Sequence, residues 1–149
     1  MEVPSWSKLK RLQLGKYAEY FAKMEFTRHG FDVYTAEVDD KGIDFVIRKS
    51  ESTYYDVQVK SVRGWNYVFF PKSKFSLRDN LLGVVVHFAE GKPPNVYVIR
   101  STEWRKPSKL LVSRDYKDRK SPPEWGVNLS QRNFLRLSQF SLEKMVKLL

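Results

Sequence analysis

Apolar residues recur at intervals of three to five along residues 7–29: Leu9, Leu12, Tyr17, Phe21 and Met24, helped by Ala18. The spacing predicts a helix that buries this stripe, with Ser7 as its N-cap and His29-Gly30 as its stop. Over 31–38 the period shortens to two, with Phe31, Val33, Thr35 and Glu37 on one face, which predicts a strand. Asp39-Asp40-Lys41-Gly42 is a turn signature. Two runs rich in β-branched and aromatic residues follow, 45–47 and 54–62, joined by the polar hairpin loop 48–53. Arg63-Gly64 breaks the second run, 65–70 resumes as a strand, and Pro71 ends it. The continuously apolar 81–88 suits a central strand buried on both faces. A turn at 90–94 leads to a strand at 95–99, after which Ser101 caps a short helical turn holding Trp104. From 105 to 125 periodicity weakens and charge rises, which predicts irregular structure. Helical spacing returns with Phe134, Leu135 and Leu137, then with Leu142, Met145, Val146 and Leu149.

This order predicts a mixed α/β fold: one central β-sheet, a leading N-terminal helix and short C-terminal helices. No repeat or linker divides the chain. A single domain over 1–149 is expected, with its core at about 7–100 and a basic loop and helical tail at 101–149.

Composition narrows the chemistry. The 149 residues are 42% hydrophobic and 30% charged and include no cysteine, which excludes disulfides, thiolate zinc sites and cysteine nucleophiles. The first residues lack a basic stretch followed by an apolar one, and no apolar run approaches a membrane span. A cytoplasmic protein with no membrane partner is expected. Lys and Arg number 27 against 17 Asp and Glu, a net charge of +10. An excess of that size, concentrated late in the chain, favours nucleic acid as the partner.

The candidate chemistry centres on Gly42-Ile43-Asp44 and, after thirteen intervening residues, Gln58-Val59-Lys60. In a strand, Gln58 and Lys60 share one face while Val57 and Val59 point to the core. Antiparallel pairing of the two strands would bring Asp44 beside them. An acid, an amide and an ammonium on an otherwise apolar sheet need partners, because burying polar groups costs several kcal/mol. A metal ion together with a phosphate would supply them. Glu19 lies on the edge of the helical stripe, where a solvated charge is the plain reading. Asp39 and Asp40 are explained by their turn, His29 by the helix end and His87 by the core, so none enters the site.

A helix bearing Glu19, a turn, Gly42-Ile43-Asp44 at the head of one strand and Gln58-Val59-Lys60 in the next resemble the PD-(D/E)XK nuclease superfamily. The resemblance covers roughly residues 11–100 and implies a restriction-endonuclease-like core. Ile43 stands where the motif has proline, a change the superfamily accepts. Gln58 stands where most members carry Asp or Glu; some restriction and homing endonucleases have Gln there. The resemblance implies a DNA endonuclease of homing, restriction or junction-resolving type that hydrolyses phosphodiester bonds. It implies Mg2+, with Mn2+ as the alternative, held by Asp44, Gln58, the Val59 carbonyl and Glu19, with Lys60 beside the attacking water. Cutting both strands usually needs two active sites, so a homodimer or homotetramer is expected. Contacts to DNA are expected from Arg63, Trp65, Lys72, Lys74 and Arg78, and from the later basic stretch of Arg105, Lys106, Lys109, Arg114, Lys117, Arg119 and Lys120. The competing reading is a catalytically impaired DNA-binding module of the same fold.

Overall fold

The computed structural model describes residues 2, 5–38, 41–118 and 120–149. A single 3-10 turn, Trp6–Lys8, precedes the long helix α1, Arg11–Arg28, which stops at His29 and turns away through Gly30 at φ 90°. The strands are β1 (Asp32–Thr35), β2 (Phe45–Arg48), β3 (Tyr54–Arg63), β4 (Tyr67–Pro71), β5 (Leu81–Phe88), β6 (Asn95–Arg100), β7 (Leu111–Arg114) and β8 (Glu124–Asn128). Two short helices, α2 (Phe134–Ser138) and α3 (Leu142–Met145), follow. The fold is mixed α/β.

Five strands form the main sheet in the order β1-β2-β3-β5-β6. β1, β2 and β3 are antiparallel neighbours, β3 and β5 run parallel, and β6 returns antiparallel. Every residue of β5 is buried, as its unbroken apolar run predicts. α1 covers one face, where Leu14, Ala18, Ala22 and Phe26 pack with Phe45, Ile47, Val57, Leu82, Val84 and Val86. The other face is covered by a second sheet, ordered β4-β8-β7, with Phe70 and Val127 from that sheet and Phe75 and Trp104 from the turns after β4 and β6 packing with Val62, Val85 and Ile99. Gly83 lets the two sheets close: a Cβ there would lie 2.9 Å from the Phe70 ring.

The segment ahead of α1 is tied down at a distance. Trp6 is buried and its indole donates to the Lys92 carbonyl (2.9 Å), while Ser5 Oγ donates to Glu90 (3.1 Å). Arg63, at the end of β3, donates to the carbonyls of Trp6 (2.9 Å) and Leu9.

Five expectations are corrected. The sheet is not single: Gly64, at φ 61°, swings the chain out of the main sheet, and β4 pairs with β8. The 105–125 segment is not all irregular, because it contains β7 and the start of β8; their apolar runs are too short, between charges, to announce themselves. The α1 stripe is rotated: Leu12 is 87% exposed and Met24 59%, whereas Ala18, which the stripe included, is fully buried together with Ala22 and Phe26, which it did not. Small residues win that face because they let the helix axis approach the sheet closely. Finally, the N-cap of α1 is Lys10 and not Ser7, and Ser101 is no cap but a buried hydroxyl joined to both backbone groups of Arg78. In the turn expected at 39–42, Asp39 and Asp40 lie outside the described residues, and Gly42 takes φ 77°.

Candidate active site

β2 pairs with β3 only from Tyr54 to Val57. Beyond Val57 the edge of β3 that faces away from β5 is left by β2, and a fork opens. Asp44 sits at its apex, one residue before β2: its backbone N–H donates to the Val57 carbonyl (2.9 Å), and its carboxylate accepts from the Val59 N–H (2.7 Å). Alternation of the backbone puts the Val59 carbonyl on that same edge. The fork therefore presents a carboxylate and a peptide oxygen side by side.

Gln58 and Lys60 share the face of β3 opposite Val57, as alternation predicts. Gln58 is buried, and among the described residues its Oε1 has no hydrogen-bond partner. The 41–42 loop runs directly over it: a Cβ on Gly42 would lie 3.2 Å from Gln58 Nε2 and 3.0 Å from Lys74 Cβ. Only glycine fits there, on grounds of space and of φ alike. Lys74 is thereby brought alongside the fork.

In front of the fork lies a cleft of about 460 Å³. Its floor is Val59, Lys60 and Ser61 from β3, one wall is Arg11, Leu12, Gly15, Lys16 and Glu19 from α1, and the other is Tyr67, Val68 and Phe69 from β4. Glu19, Val59 and Lys60 thus share one cleft, with Asp44 joined to it through Val59 and Gln58 behind it. The Glu19 carboxylate lies between Lys16 (3.5 Å) and Lys23 (3.4 Å). Val59, expected in the core, is half-buried and forms part of the cleft floor.

An orphaned buried amide oxygen, a carboxylate held by a backbone N–H and a peptide oxygen on the same edge make a set of hard oxygen donors. That set suits Mg2+, which binds through one or two carboxylates and keeps several waters. Among the described residues no three Asp, Glu or His side chains converge, which such a site does not require.

The cations expected to touch DNA divide into two groups. Arg63 is engaged with the carbonyls of Trp6 and Leu9, and Arg78 pairs with Asp56 (2.7 Å) and donates to Asn80. Lys72 pairs with Asp115 (2.9 Å) and lies over the Trp125 ring. Arg105, Lys106, Lys109, Lys117 and Lys120 are exposed, and Arg119 lies outside the described residues. Trp65 stacks on His87 (4.8 Å between centroids) at the end of β5. His87 is buried there, among the described residues neither ring nitrogen has a hydrogen-bond partner, and burial pushes its imidazole below the ordinary range.

Arg114 belongs to a cluster that the sequence did not announce. Its guanidinium lies over the Tyr67 ring (4.1 Å), and its pKa is raised by a hydrogen bond to Tyr116. The Tyr67 hydroxyl donates to the buried Glu124 carboxylate, and burial, with Glu124 beside it, raises the phenol well above its usual pKa. Arg11 and Lys16, also missed, were findable: with Leu12, Gly15 and Glu19 they form one side of a helix at three- and four-residue spacing.

Comparison of the chain with protein-family models and with curated proteins gives no match. Among the described residues no helix is long and apolar enough to cross a membrane.

Proposed function

We propose that the protein is a metal-dependent DNA endonuclease of the PD-(D/E)XK type. The observation that carries this reading is the fork: Asp44 is bonded to the Val59 N–H, Gln58 and Lys60 flank Val59, and Val59 and Lys60 line a cleft that Glu19 also lines. Asp44, Gln58 Oε1, the Val59 carbonyl and Glu19 would hold Mg2+ or Mn2+. When bound, the ion supplies Lewis-acid stabilisation of phosphate charge and lowers the pKa of a water. Lys60 would stabilise the negative charge that grows on the phosphate as water attacks in line. Arg11 and Lys16 on the α1 wall would steer the backbone into the cleft, and the +10 net charge would draw DNA to it. Cleavage of both strands would require a homodimer or homotetramer.

The test is incubation with supercoiled plasmid and with a branched junction, in Mg2+ or EDTA. Cleavage is expected only with Mg2+, and Asp44→Ala and Lys60→Ala should each lower it by about a hundred-fold or more. Cleavage in EDTA, or cleavage untouched by both substitutions, would overturn the assignment.

The impaired DNA-binding module remains the second reading because of one observation. Gln58 is uncharged and Glu19 is engaged by Lys16 and Lys23, which among the described residues leaves Asp44 to supply the negative charge at the apex. DNA binding without cleavage, unchanged in Asp44→Ala, is its signature.

A further inference from the structure

The β4 wall of the cleft is built to a different plan from the α1 wall. Val68 and Phe70 point inward and are buried, so alternation turns Tyr67 and Phe69 outward. Their rings stack, 6.1 Å between centroids and 23° from parallel, and the Arg114 guanidinium lies over the Tyr67 ring, 4.1 Å from its centroid. The free end is Phe69, 44% exposed and lining the cleft beside Lys60.

Holding this stack asks much of β8. Gly126 lies beneath Tyr67, and a Cβ there would collide with the phenol ring. A strand interior is a poor place for glycine, and its use here leaves room for Tyr67 to lie flat. Glu124, a carboxylate that is 6% exposed, takes the phenol proton as a hydrogen bond and fixes the ring. An aromatic pair anchored at Tyr67, with a cation over that ring and an exposed ring at Phe69, has the features that bind unpaired bases.

We propose that Phe69, backed by Tyr67 and Arg114, stacks an unpaired DNA base next to the scissile phosphate. On this assignment the substrate class is DNA with a single-stranded arm or a branch point in preference to uninterrupted duplex. The occupant is argued from charge and continuity: Arg11, Lys16 and Arg114 flank the platform with positive charge, and it opens into the cleft that holds Lys60. The cleft, at about 460 Å³, is of the size that accepts a small-molecule-sized group such as a nucleotide. The proposal rests on the nuclease reading for the scissile phosphate, but the stacking itself does not need cleavage.

The experiment measures binding in EDTA, using a paired duplex and the same duplex extended by a single-stranded arm carrying a fluorescent adenine analogue. The arm should tighten binding by about five- to a hundred-fold and quench the analogue. Phe69→Ala and Phe69→Leu should bring the affinity for the armed DNA down to that of the duplex and abolish quenching, while Phe69→Trp restores both. Circular dichroism of each variant reports folding, and the two truncations provide independent readings. Equal wild-type affinity for the two DNAs, or a preference that survives both truncations in folded protein, would overturn the proposal. The two readings fail separately. Stacking lost in Phe69→Ala without any Mg2+-dependent cleavage would keep the platform and sink the nuclease; cleavage through Asp44 with no preference for the arm would do the reverse.

Discussion

Gln58 sets the terms at the scale of single residues. A buried amide oxygen without a donor is a liability of about 1–3 kcal/mol, and among the described residues Gln58 Oε1 has none. Gln58→Met, which keeps the shape and removes the orphan, should leave urea stability unchanged or raised by about 1 kcal/mol, while cleavage falls steeply. A loss of stability with activity intact would mean that Gln58 serves packing alone. His87 offers a second test. Its folded pKa lies below the unfolded value of about 6.5, so the unfolded chain takes up the proton first as pH falls. The stability associated with a neutral His87 is complete above about pH 6.5 and is lost as pH falls toward the folded pKa. The urea midpoint should therefore drop between about pH 7.5 and pH 5.5, and drop less in His87→Phe, which keeps a ring against Trp65. At this scale the sequence was readable for Asp44, Gln58 and Lys60, because strand alternation and pairing are enforced by the backbone. It was silent on Tyr67 and Glu124, whose partnership depends on a strand 57 residues away.

Elements show where reading a pattern of apolar residues fails. The large residues of α1 suggested a stripe through Leu12 and Met24, yet the helix docks on Ala18, Ala22 and Phe26. Apolar size was the wrong guide; closeness of approach decided the face. Ala18→Leu should destabilise by about 1–3 kcal/mol through overpacking, whereas Leu12→Ala should stay within about 0.5 kcal/mol. Equal effects in thermal denaturation would place the buried face elsewhere. On β8, Gly126→Ala should cost about 1–3 kcal/mol by displacing the Tyr67 ring. In the double variant with Tyr67→Ala, the two costs should add to less than their sum, because the collision is then gone. β7 and β8 escaped notice for a related reason: a short strand held by a neighbouring sheet needs little periodicity of its own.

For the whole molecule, the +10 charge was visible at once, but its division between working and structural cations was not. Arg63, Lys72 and Arg78 are committed to carbonyls, aspartates and a Trp ring, and that follows only from tertiary structure. Salt dependence of DNA binding can separate the groups. Lys117→Ala at an exposed position should lower the slope of log affinity against log salt by about 0.9 if it meets a phosphate. Lys72→Ala should change stability more than slope. The class of fold was legible because one helix and a run of apolar strands suffice to define it. The second sheet was not, since β4 and β8 lie more than fifty residues apart in the chain and only their pairing reveals them.

The tie between Trp6 and the turn after β5 bears on how the protein is made. Trp6 meets Lys92 across 86 residues, so that bond, unlike the earlier tie from Arg63, cannot form until the turn leaves the ribosome. At about 5–20 residues per second, that is a delay of roughly four to seventeen seconds. Through it the turn ahead of α1 lacks that fastening, although β2 and β3, on which the helix packs, and all the residues that line the cleft are made before Lys92.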